Sequence, residues 1–288
     1  MDITKRGTII GILAMVATAL LWSIAGLFIK VIDWHPLTIA GFRSLIASFV
    51  VLLYVKRPHF HLSFPQVAAT ICNAATMMFF VAANKTTTSA NAIILQYIAP
   101  VCTAFLGAWL LKEKTRLEHW IAIVVVTAGV IVMFMDEIGG GRTLGNVFAL
   151  LSGLTFSLYF VFMRKQKDES PIESILLSHW LVAAAGLTVT LFVPAPRFTL
   201  KAVGAVVVLG VFQIGVAAVL FAAAIKRIPA VTANLIAVIE PVFNPVWVFL
   251  ALGEAPGAKA LAGGAAILIA VTLVSMISAR RPNKPEPA

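Results

Sequence analysis

Two stretches of the chain determine its architecture: NAIILQYIAPVCTAFLGAWLLKE at residues 91–113 and TANLIAVIEPVFNPVWVFLALGE at residues 232–254. A constant offset of 141 residues relates them, pairing Pro100 with Pro241 and Glu113 with Glu254. The same offset pairs Phe80 with Phe221, Ala82 with Ala223, Ala83 with Ala224, Lys85 with Lys226, Ala92 with Ala233, Val101 with Val242 and Leu111 with Leu252. Further upstream, an offset of 134 pairs Gly11 with Gly145, Trp22 with Phe156, Ser23 with Ser157 and Lys30 with Arg164. The second half of the chain therefore repeats the first.

The repeated unit is a membrane unit. Of the 288 residues, 60% are hydrophobic and only 12% are charged, whereas a soluble domain has about 25% charged residues. A helix needs about 20 apolar residues to cross the hydrocarbon core of a bilayer. The pattern predicts an all-α integral membrane protein with ten transmembrane helices. These predicted spans, numbered 1 to 10 in chain order, are residues 8–30, 36–55, 66–84, 88–111, 117–135, 144–163, 172–193, 201–225, 230–252 and 257–279.

The ten spans divide into two repeats of five. The first predicted repeat covers residues 1–137 and the second covers residues 138–280, followed by a disordered cytoplasmic tail at residues 281–288. Because five is an odd number, the second repeat enters the membrane in the opposite orientation, and the repeats are related by a pseudo-twofold axis in the membrane plane. Inverted repeats of this kind are typical of transporters whose substrate site lies between the two halves.

The net charge of +10 is distributed unevenly between the predicted loops. Fifteen Lys and Arg residues fall on the side of the N-terminus, six fall on the opposite side, and Arg43 lies within a span. This excess follows the positive-inside rule and predicts that both termini are cytoplasmic. The same bias accounts for the basic character of the chain, so we expect no nucleic-acid partner.

The repeats carry motifs that resemble the EamA branch of the drug/metabolite transporter superfamily, and the resemblance covers nearly the whole chain. The motifs are the stretch from Asn91 to Pro100 that ends at Glu113, the stretch from Leu235 to Pro241 that ends at Glu254, LLWS at residues 20–23 and FRSLIA at residues 42–47. The resemblance implies a basket of helices around a central cavity, with spans 1, 3, 4, 6, 8 and 9 lining it and spans 5 and 10 at the periphery.

A closer likeness is to the exporters of aromatic amino acids in the bacterial inner membrane. It implies export as the direction of transport and the bacterial inner membrane as the location. One departure concerns span 1, where members of the family often have Gly after the Trp. In this chain Ser23 follows Trp22, which places close backbone packing at that point in doubt.

Polar side chains within the spans mark the faces that point toward protein or a water-filled cavity, because a polar group in lipid costs free energy. Aromatic side chains among them would give stacking surface to an apolar solute. The alternative for each aromatic residue is packing or contact with lipid. The predicted cavity residues are Trp22, Asn73, Met77, Phe80, Gln96, Tyr97, Pro100, Phe156, Tyr159, Gln213, Glu240 and Asn244.

Glu240 is the only carboxylate near the centre of a span, where a charge costs roughly 2.5–3.5 kcal/mol or more. We interpret it as a proton-coupling group or as the partner of a substrate amine. The alternative is a neutral or hydrogen-bonded glutamate that caps a broken helix. Its repeat mate is Ala99, so the site is asymmetric under either interpretation. His179 is a second candidate for a proton relay, and a hydrogen-bonded structural histidine is the alternative.

Pro100 and Pro241 lie mid-span at equivalent positions of the two repeats. Each proline removes a backbone donor and kinks its helix. The pair predicts hinges for alternating access, with a fixed kink that shapes the helix bundle as the alternative.

The charges within the spans limit the class of substrate. Arg43 is the only Lys or Arg that lies away from the ends of a span, and we expect it to reach the outer face or to pair with Asp33. A carrier of phosphorylated sugars would need Lys or Arg in its cavity. A neutral or zwitterionic solute with an apolar body remains, such as an aromatic or other hydrophobic amino acid. The alternative is another small metabolite or an uncharged drug, such as a purine or a sulfur metabolite.

We expect neither an enzyme nor a metal or cofactor site. The chain has no zinc motif, nucleophile elbow or phosphate-binding loop, and Cys72 and Cys102 fall inside spans as small apolar side chains. A membrane scaffold or a membrane enzyme is the remaining alternative. The expected partners are a small-molecule substrate and the lipid bilayer, and we expect a monomer.

Overall fold

The computed structural model describes residues 3–87, 89–135, 143–169, 171–253 and 257–280, and the regular elements within these ranges are all helices. Nine of the described spans are long and apolar enough to cross a membrane, and the remaining one, span 5, is an apolar helix of 17 residues. The spans are Ile3–Ser23 with Ala25–Lys30, Pro36–Val55, Phe64–Thr86, Ser89–Gln96 with Ala99–Leu110, Leu117–Met133, Thr143–Lys165, Pro171–Thr190, Leu200–Val208 with Leu209–Val216 and Ala217–Ile225, Ala230–Ala237 with Ile239–Leu252, and Ala258–Arg280. The predicted all-α membrane architecture is confirmed.

The two repeats interlock symmetrically. Span 3 packs against span 6, and the equivalent spans 8 and 1 pack against each other. Spans 4 and 6 are in contact, as are their repeat mates 9 and 1, while spans 2 and 7, 4 and 9, and 5 and 10 each pack against their own mates. Exchanging every span for its mate leaves this pattern unchanged. Two repeats of five spans are therefore related by a twofold rotation, as an inverted repeat requires.

Glycines at equivalent positions allow the close contacts between the repeats. A Cβ atom on Gly11 would lie 2.9 Å from Ile228 Cγ2, and a Cβ atom on Gly145 would lie 2.6 Å from the amide nitrogen of Thr87. Gly11 and Gly145 are repeat mates at the offset of 134, and Thr87 and Ile228 are mates at the offset of 141. The same contact is thus made twice, once in each half of the molecule.

Spans 2 and 7 approach backbone to backbone. A Cβ atom on Gly41 would lie 3.1 Å from the Cα atom of Gly186 and 2.9 Å from the amide nitrogen of Leu187. A Cβ atom on Gly186 would meet the carbonyl oxygen of Leu37. Small residues replace hydrophobic attraction as the means of helix association within lipid, because they bring backbones close together.

Helix breaks occur at equivalent points of spans 4 and 9. Span 4 is interrupted between Gln96 and Ala99, and span 9 is interrupted between Ala237 and Ile239. Pro100 and Pro241 lie in the first turn of the second half-helix of each span, where the missing N–H has no intrahelical partner to lose. The prolines therefore begin new helices rather than bending continuous ones.

Span 1 is also interrupted, at Ile24, between Ile3–Ser23 and Ala25–Lys30. The side chain of Ser23 is fully buried and donates to the carbonyl oxygen of Leu20 over 2.6 Å. It also accepts a hydrogen bond of 2.7 Å from Trp247 Nε1 in span 9. Ser23, at the position where the resemblance implies a glycine, thus ties span 1 to the second half of span 9.

Apolar side chains are distributed as a lipid environment requires. Phe160 and Phe221 are fully buried inside the bundle, whereas Leu53 and Trp109 are 78% and 76% exposed. Large apolar groups in contact with hydrocarbon carry no penalty, so the outer surface of the bundle is as hydrophobic as its interior.

Candidate functional site

Charged and polar side chains from both repeats lie near one another in the middle of the spans. Arg43 Nη1 in span 2 donates a hydrogen bond of 3.3 Å to Gln213 Oε1 in span 8. The charge of Arg43 acts on Glu240 in span 9 and on His179 in span 7. The charge of Glu240 acts in turn on Tyr97, at the break of span 4. We call Arg43, Gln213, Glu240 and His179 the central polar cluster.

The opposite charges of this cluster interact without direct contact. Arg43 and Glu240 do not form an ion pair within the described residues. Arg43 Nε is buried and finds no hydrogen-bond acceptor there. The guanidinium is therefore fixed on one edge by Gln213 and unsatisfied on another.

Local helix irregularities position the cluster. Gln213 lies in a π-helical segment of span 8, Leu209–Val216, which packs against span 2. Such segments are rare and occur frequently at functional sites. Glu240 lies in the first turn of the second half of span 9, where the partial positive charge of a helix N-terminus stabilises a carboxylate.

Sequence reasoning misplaced Arg43. We expected its side chain to reach the outer face or Asp33, but the structure places it against Gln213, within reach of the charge of Glu240. The rotation of span 2 about its axis decides between these outcomes. The row of small buried residues Thr38, Gly41, Ser44 and Ser48 lies on the opposite side of this helix from Arg43, so it gave no signal for the position of the arginine.

The two proposed relay residues both lie near Arg43. His179 is 1% exposed, and neither of its ring nitrogens has a hydrogen-bond partner among the described residues. A proton relay needs a chain of such partners, so the role of His179 stays a prediction. Glu240 is half-buried and is the more accessible of the two.

The predicted amides of spans 3 and 4 already bind protein groups. Asn73 Nδ2 donates to Ser178 Oγ over 2.7 Å, and Gln96 Nε2 donates to Ser152 Oγ over 2.9 Å. Ser152 Oγ donates in turn to the carbonyl oxygen of Thr76. These side chains tie neighbouring spans together, and a substrate would have to share them with the protein.

Three of the five predicted aromatic residues, Trp22, Phe156 and Tyr159, pack together with Phe221 at spans 1, 6 and 8. The ring of Trp22 lies 6.2 Å from Phe156 and 5.8 Å from Phe221, centroid to centroid. Tyr159 stacks on Phe221 at 5.3 Å and is only 3% exposed. Trp22 and Phe156 are half-buried and form the accessible edge of this group.

The remaining predicted cavity residues are dispersed. Phe80 packs near Ala83, Ala92 and Ala149 rather than in the aromatic group. Met77 lines a small apolar pocket between spans 2, 3 and 7, with room for about one water molecule. Asn244 belongs to the helix of span 9, but its side chain lies outside the described part of the structure.

A metal site is not evident among the described residues, where no group of three or more His, Cys, Asp or Glu side chains converges. Cys72 and Cys102 are free thiols in different spans.

Comparison with known proteins gives the family. Residues 9–135 and 143–276 each match the sequence profile of the EamA-like transporter family. The chain belongs to this family. It is 26% identical over 261 residues to an uncharacterized transporter of Archaeoglobus fulgidus, covering 90% of this chain and 94% of that protein. It is 25% identical over 249 residues to the uncharacterized transporter YwfM of Bacillus subtilis, covering 83% and 84% of the two chains.

Two further comparisons agree with this assignment. The protein RarD of Escherichia coli is 26% identical over 192 residues, 62% of each chain. A crystal structure with 21% sequence identity superposes with a TM-score of 0.81 over 96% of this chain and 99% of that one, which shows the same fold. The protein is thus a multi-pass membrane transporter, of a family whose members are not enzymes.

The family matches locate the two repeats but do not fix the boundary between them. The two matches of this EamA transporter leave residues 136–142 unassigned between them. The division at residues 137 and 138 stays a prediction, and the tail at residues 281–288 lies outside the described residues.

An ion pair joins several spans at one end of this EamA transporter. Arg164 Nε contacts Glu113 Oε1 at 2.7 Å, and the second oxygen of Glu113 accepts a hydrogen bond of 3.1 Å from the amide nitrogen of Ala230. Arg164 Nη1 also donates to the carbonyl oxygen of Ile225. These contacts join spans 4, 6, 8 and 9 at the predicted cytoplasmic end. The repeat mate of Glu113 is Glu254, which lies outside the described residues.

Proposed function

We propose that this EamA transporter exports small neutral or zwitterionic metabolites, with aromatic and other hydrophobic amino acids as the preferred substrates. The observation that carries the proposal is the central polar cluster. It brings one cation, Arg43 of the first repeat, and one anion, Glu240 of the second, to the middle of the spans. A site with one charge of each sign suits a solute that carries both.

The aromatic group supports a substrate with an apolar body. Trp22 and Phe156 present ring surface at the edge of a rigid, buried stack, and aromatic surface binds apolar or aromatic side chains well. The substrate cavity of the proposal contains these rings, the polar cluster and Tyr97.

Alternating access between the two repeats is the proposed mechanism. Discontinuous helices at equivalent positions of inverted repeats are typical of transporters that rock around a central site. Pro100 and Pro241, at the starts of the second half-helices of spans 4 and 9, are the proposed hinges. The proposed setting is the bacterial inner membrane, with both termini in the cytoplasm and the protein acting as a monomer.

Counterflow in liposomes tests this function. Liposomes with the purified protein are loaded with unlabelled phenylalanine and offered labelled phenylalanine at matched pH. We expect accumulation of label above empty liposomes, followed by a comparison with a pH gradient imposed. If folded protein gives no flux of any neutral amino acid, the proposal is wrong.

A second candidate function is the export of another small metabolite or an uncharged drug. The small pocket beside Met77 favours it, because its lining of Leu37, Ala40, Met78, Val182 and Gly186 is apolar and contains no charged partner for a zwitterion. Competition separates the two functions: a purine or a sulfur metabolite that blocks counterflow better than phenylalanine would favour the second.

A further inference from the structure

We propose that Arg43 and Glu240 form a two-ended site for a zwitterion, in which Arg43 binds the carboxylate of an amino acid and Glu240 binds its ammonium group. The inference rests on the proposed function, since it states how the same site recognises its substrate.

The donors of Arg43 provide the first end of the site. A guanidinium presents five N–H donors in a planar fork that matches the two oxygens of a carboxylate. The protein occupies Nη1 with Gln213, over a long hydrogen bond of 3.3 Å, and it leaves the buried Nε without an acceptor within the described residues. A substrate carboxylate would satisfy Nε together with the second terminal nitrogen of the same fork. Gln213 positions the guanidinium from its opposite edge.

Glu240 provides the second end. Opposite charges attract strongly where water is excluded, yet Arg43 and Glu240 interact without forming a direct pair in the described structure. Gln213 holds Arg43 to span 8, and the start of a half-helix holds Glu240 in span 9. The two charges therefore have no direct pair in the described structure, and each is left to an oppositely charged group of a substrate.

This polarity also rejects other classes of solute. A phosphorylated compound would gain from Arg43 but would be repelled by Glu240, and a cation without a carboxylate would experience the reverse. Only a solute with both charges gains at both ends.

Apolar side chains lie one helical turn from two residues of the central polar cluster. Ala40 precedes Arg43 by one helical turn in span 2, and Val182 follows His179 by one turn in span 7, so each pair shares a helix face. Ala40 and Val182 both line the small apolar pocket that also contacts Met77. A hydrophobic side chain would contact these apolar neighbours without leaving a polar group unpaired, which favours hydrophobic over polar amino acids.

Analogues that lack one charged group test the site in the wild-type protein. Counterflow of labelled phenylalanine is measured with unlabelled phenylalanine, 3-phenylpropionate and phenethylamine as competitors. We expect each single-charge analogue to compete at least tenfold more weakly than phenylalanine. Equal competition by all three compounds would overturn the two-ended site even if no variant folds.

Two substitutions assign the ends. Arg43→Gln is expected to raise the half-saturating concentration of phenylalanine at least tenfold and to leave competition by phenethylamine unchanged. Glu240→Gln is expected to raise the same concentration and to leave competition by 3-phenylpropionate unchanged. Arg57→Gln, at an exposed arginine between spans 2 and 3, is the matched control and should behave as wild type.

The outcomes separate this inference from the function on which it rests. Wild-type phenylalanine flux with an unchanged Arg43→Gln variant would overturn the two-ended site and leave the proposed function intact. Absence of wild-type flux from folded protein would overturn both.

Discussion

Replacement of Glu113 by Gln should open the predicted cytoplasmic end of the transporter. The carboxylate binds Arg164 at 2.7 Å and the amide nitrogen of Ala230 at 3.1 Å, so it holds spans 4, 6 and 9 together. The side chains of Arg164 and Glu113 are 11% and 15% exposed. Loss of the charge from such a pair costs about 2–3 kcal/mol, at the lower end for a buried ion pair because some water remains. The fraction of transporter molecules that are open at this end then rises about 30- to 150-fold.

A reporter cysteine measures this change. Ala233 is fully buried and lies one turn after Ala230 in span 9. Ala233→Cys in a background with Cys72→Ser and Cys102→Ser is labelled by an impermeant maleimide in inside-out vesicles. We expect Glu113→Gln to speed labelling at least tenfold.

Asp168→Asn is the matched control at the same end. Its contact with Lys167 is 3.9 Å long, and the Asp168 side chain is 88% exposed, so the pair contributes little. Labelling should change less than threefold. If Glu113→Gln also leaves the labelling rate within threefold of the background protein, the ion pair does not hold this end closed and the reasoning is refuted.

Three further predictions concern packing and protons. Gly186→Ala should lower the free energy of unfolding by about 1–3 kcal/mol, because the added methyl group overpacks against span 2. Gly204→Ala should leave the stability unchanged, because a Cβ atom there meets no atom within 4 Å. Thermal unfolding in detergent compares the two variants. Ser23→Ala should lower the free energy of unfolding by about 1–3 kcal/mol, because Trp247 Nε1 loses its acceptor. In a double-mutant cycle with Trp247→Phe, most of this loss should be recovered. Additive effects of the two substitutions would contradict the hydrogen bond. His179→Leu should preserve counterflow at matched pH and abolish any response to a pH gradient, while an unchanged response would assign His179 to packing.

Much of the fold was predictable because membrane helices obey few constraints. Continuous apolar segments gave the ten spans, and the repeated prolines located the breaks in spans 4 and 9. The spans and the helix breaks both depend on local sequence. The repeat offset also identified Gly11 and Gly145 as equivalent, and these glycines make equivalent contacts.

The site was less predictable, because it depends on the rotation of each helix and on irregular turns. Arg43 was expected near the outer face, and nothing in the sequence marks the π-helical segment that brings Gln213 to it. Tyr159 was identified as an inward residue, but its tight stack with Phe221 follows from the packing of span 6 on span 8. Side-chain partners such as Ser178 for Asn73 require the three-dimensional arrangement of spans 3 and 7.

The pairing of Glu240 with Ala99 as repeat mates has a kinetic consequence. The two halves share one architecture, but only one of them carries a carboxylate at this position. When the transporter changes from inward-facing to outward-facing, Glu240 therefore passes through surroundings that no equivalent carboxylate meets in the other half. The free-energy barriers of the empty transporter need not be equal for its two conformational changes. A nearly symmetric scaffold can therefore transport at unequal rates in its two directions. The equilibrium distribution of substrate still follows the gradient alone.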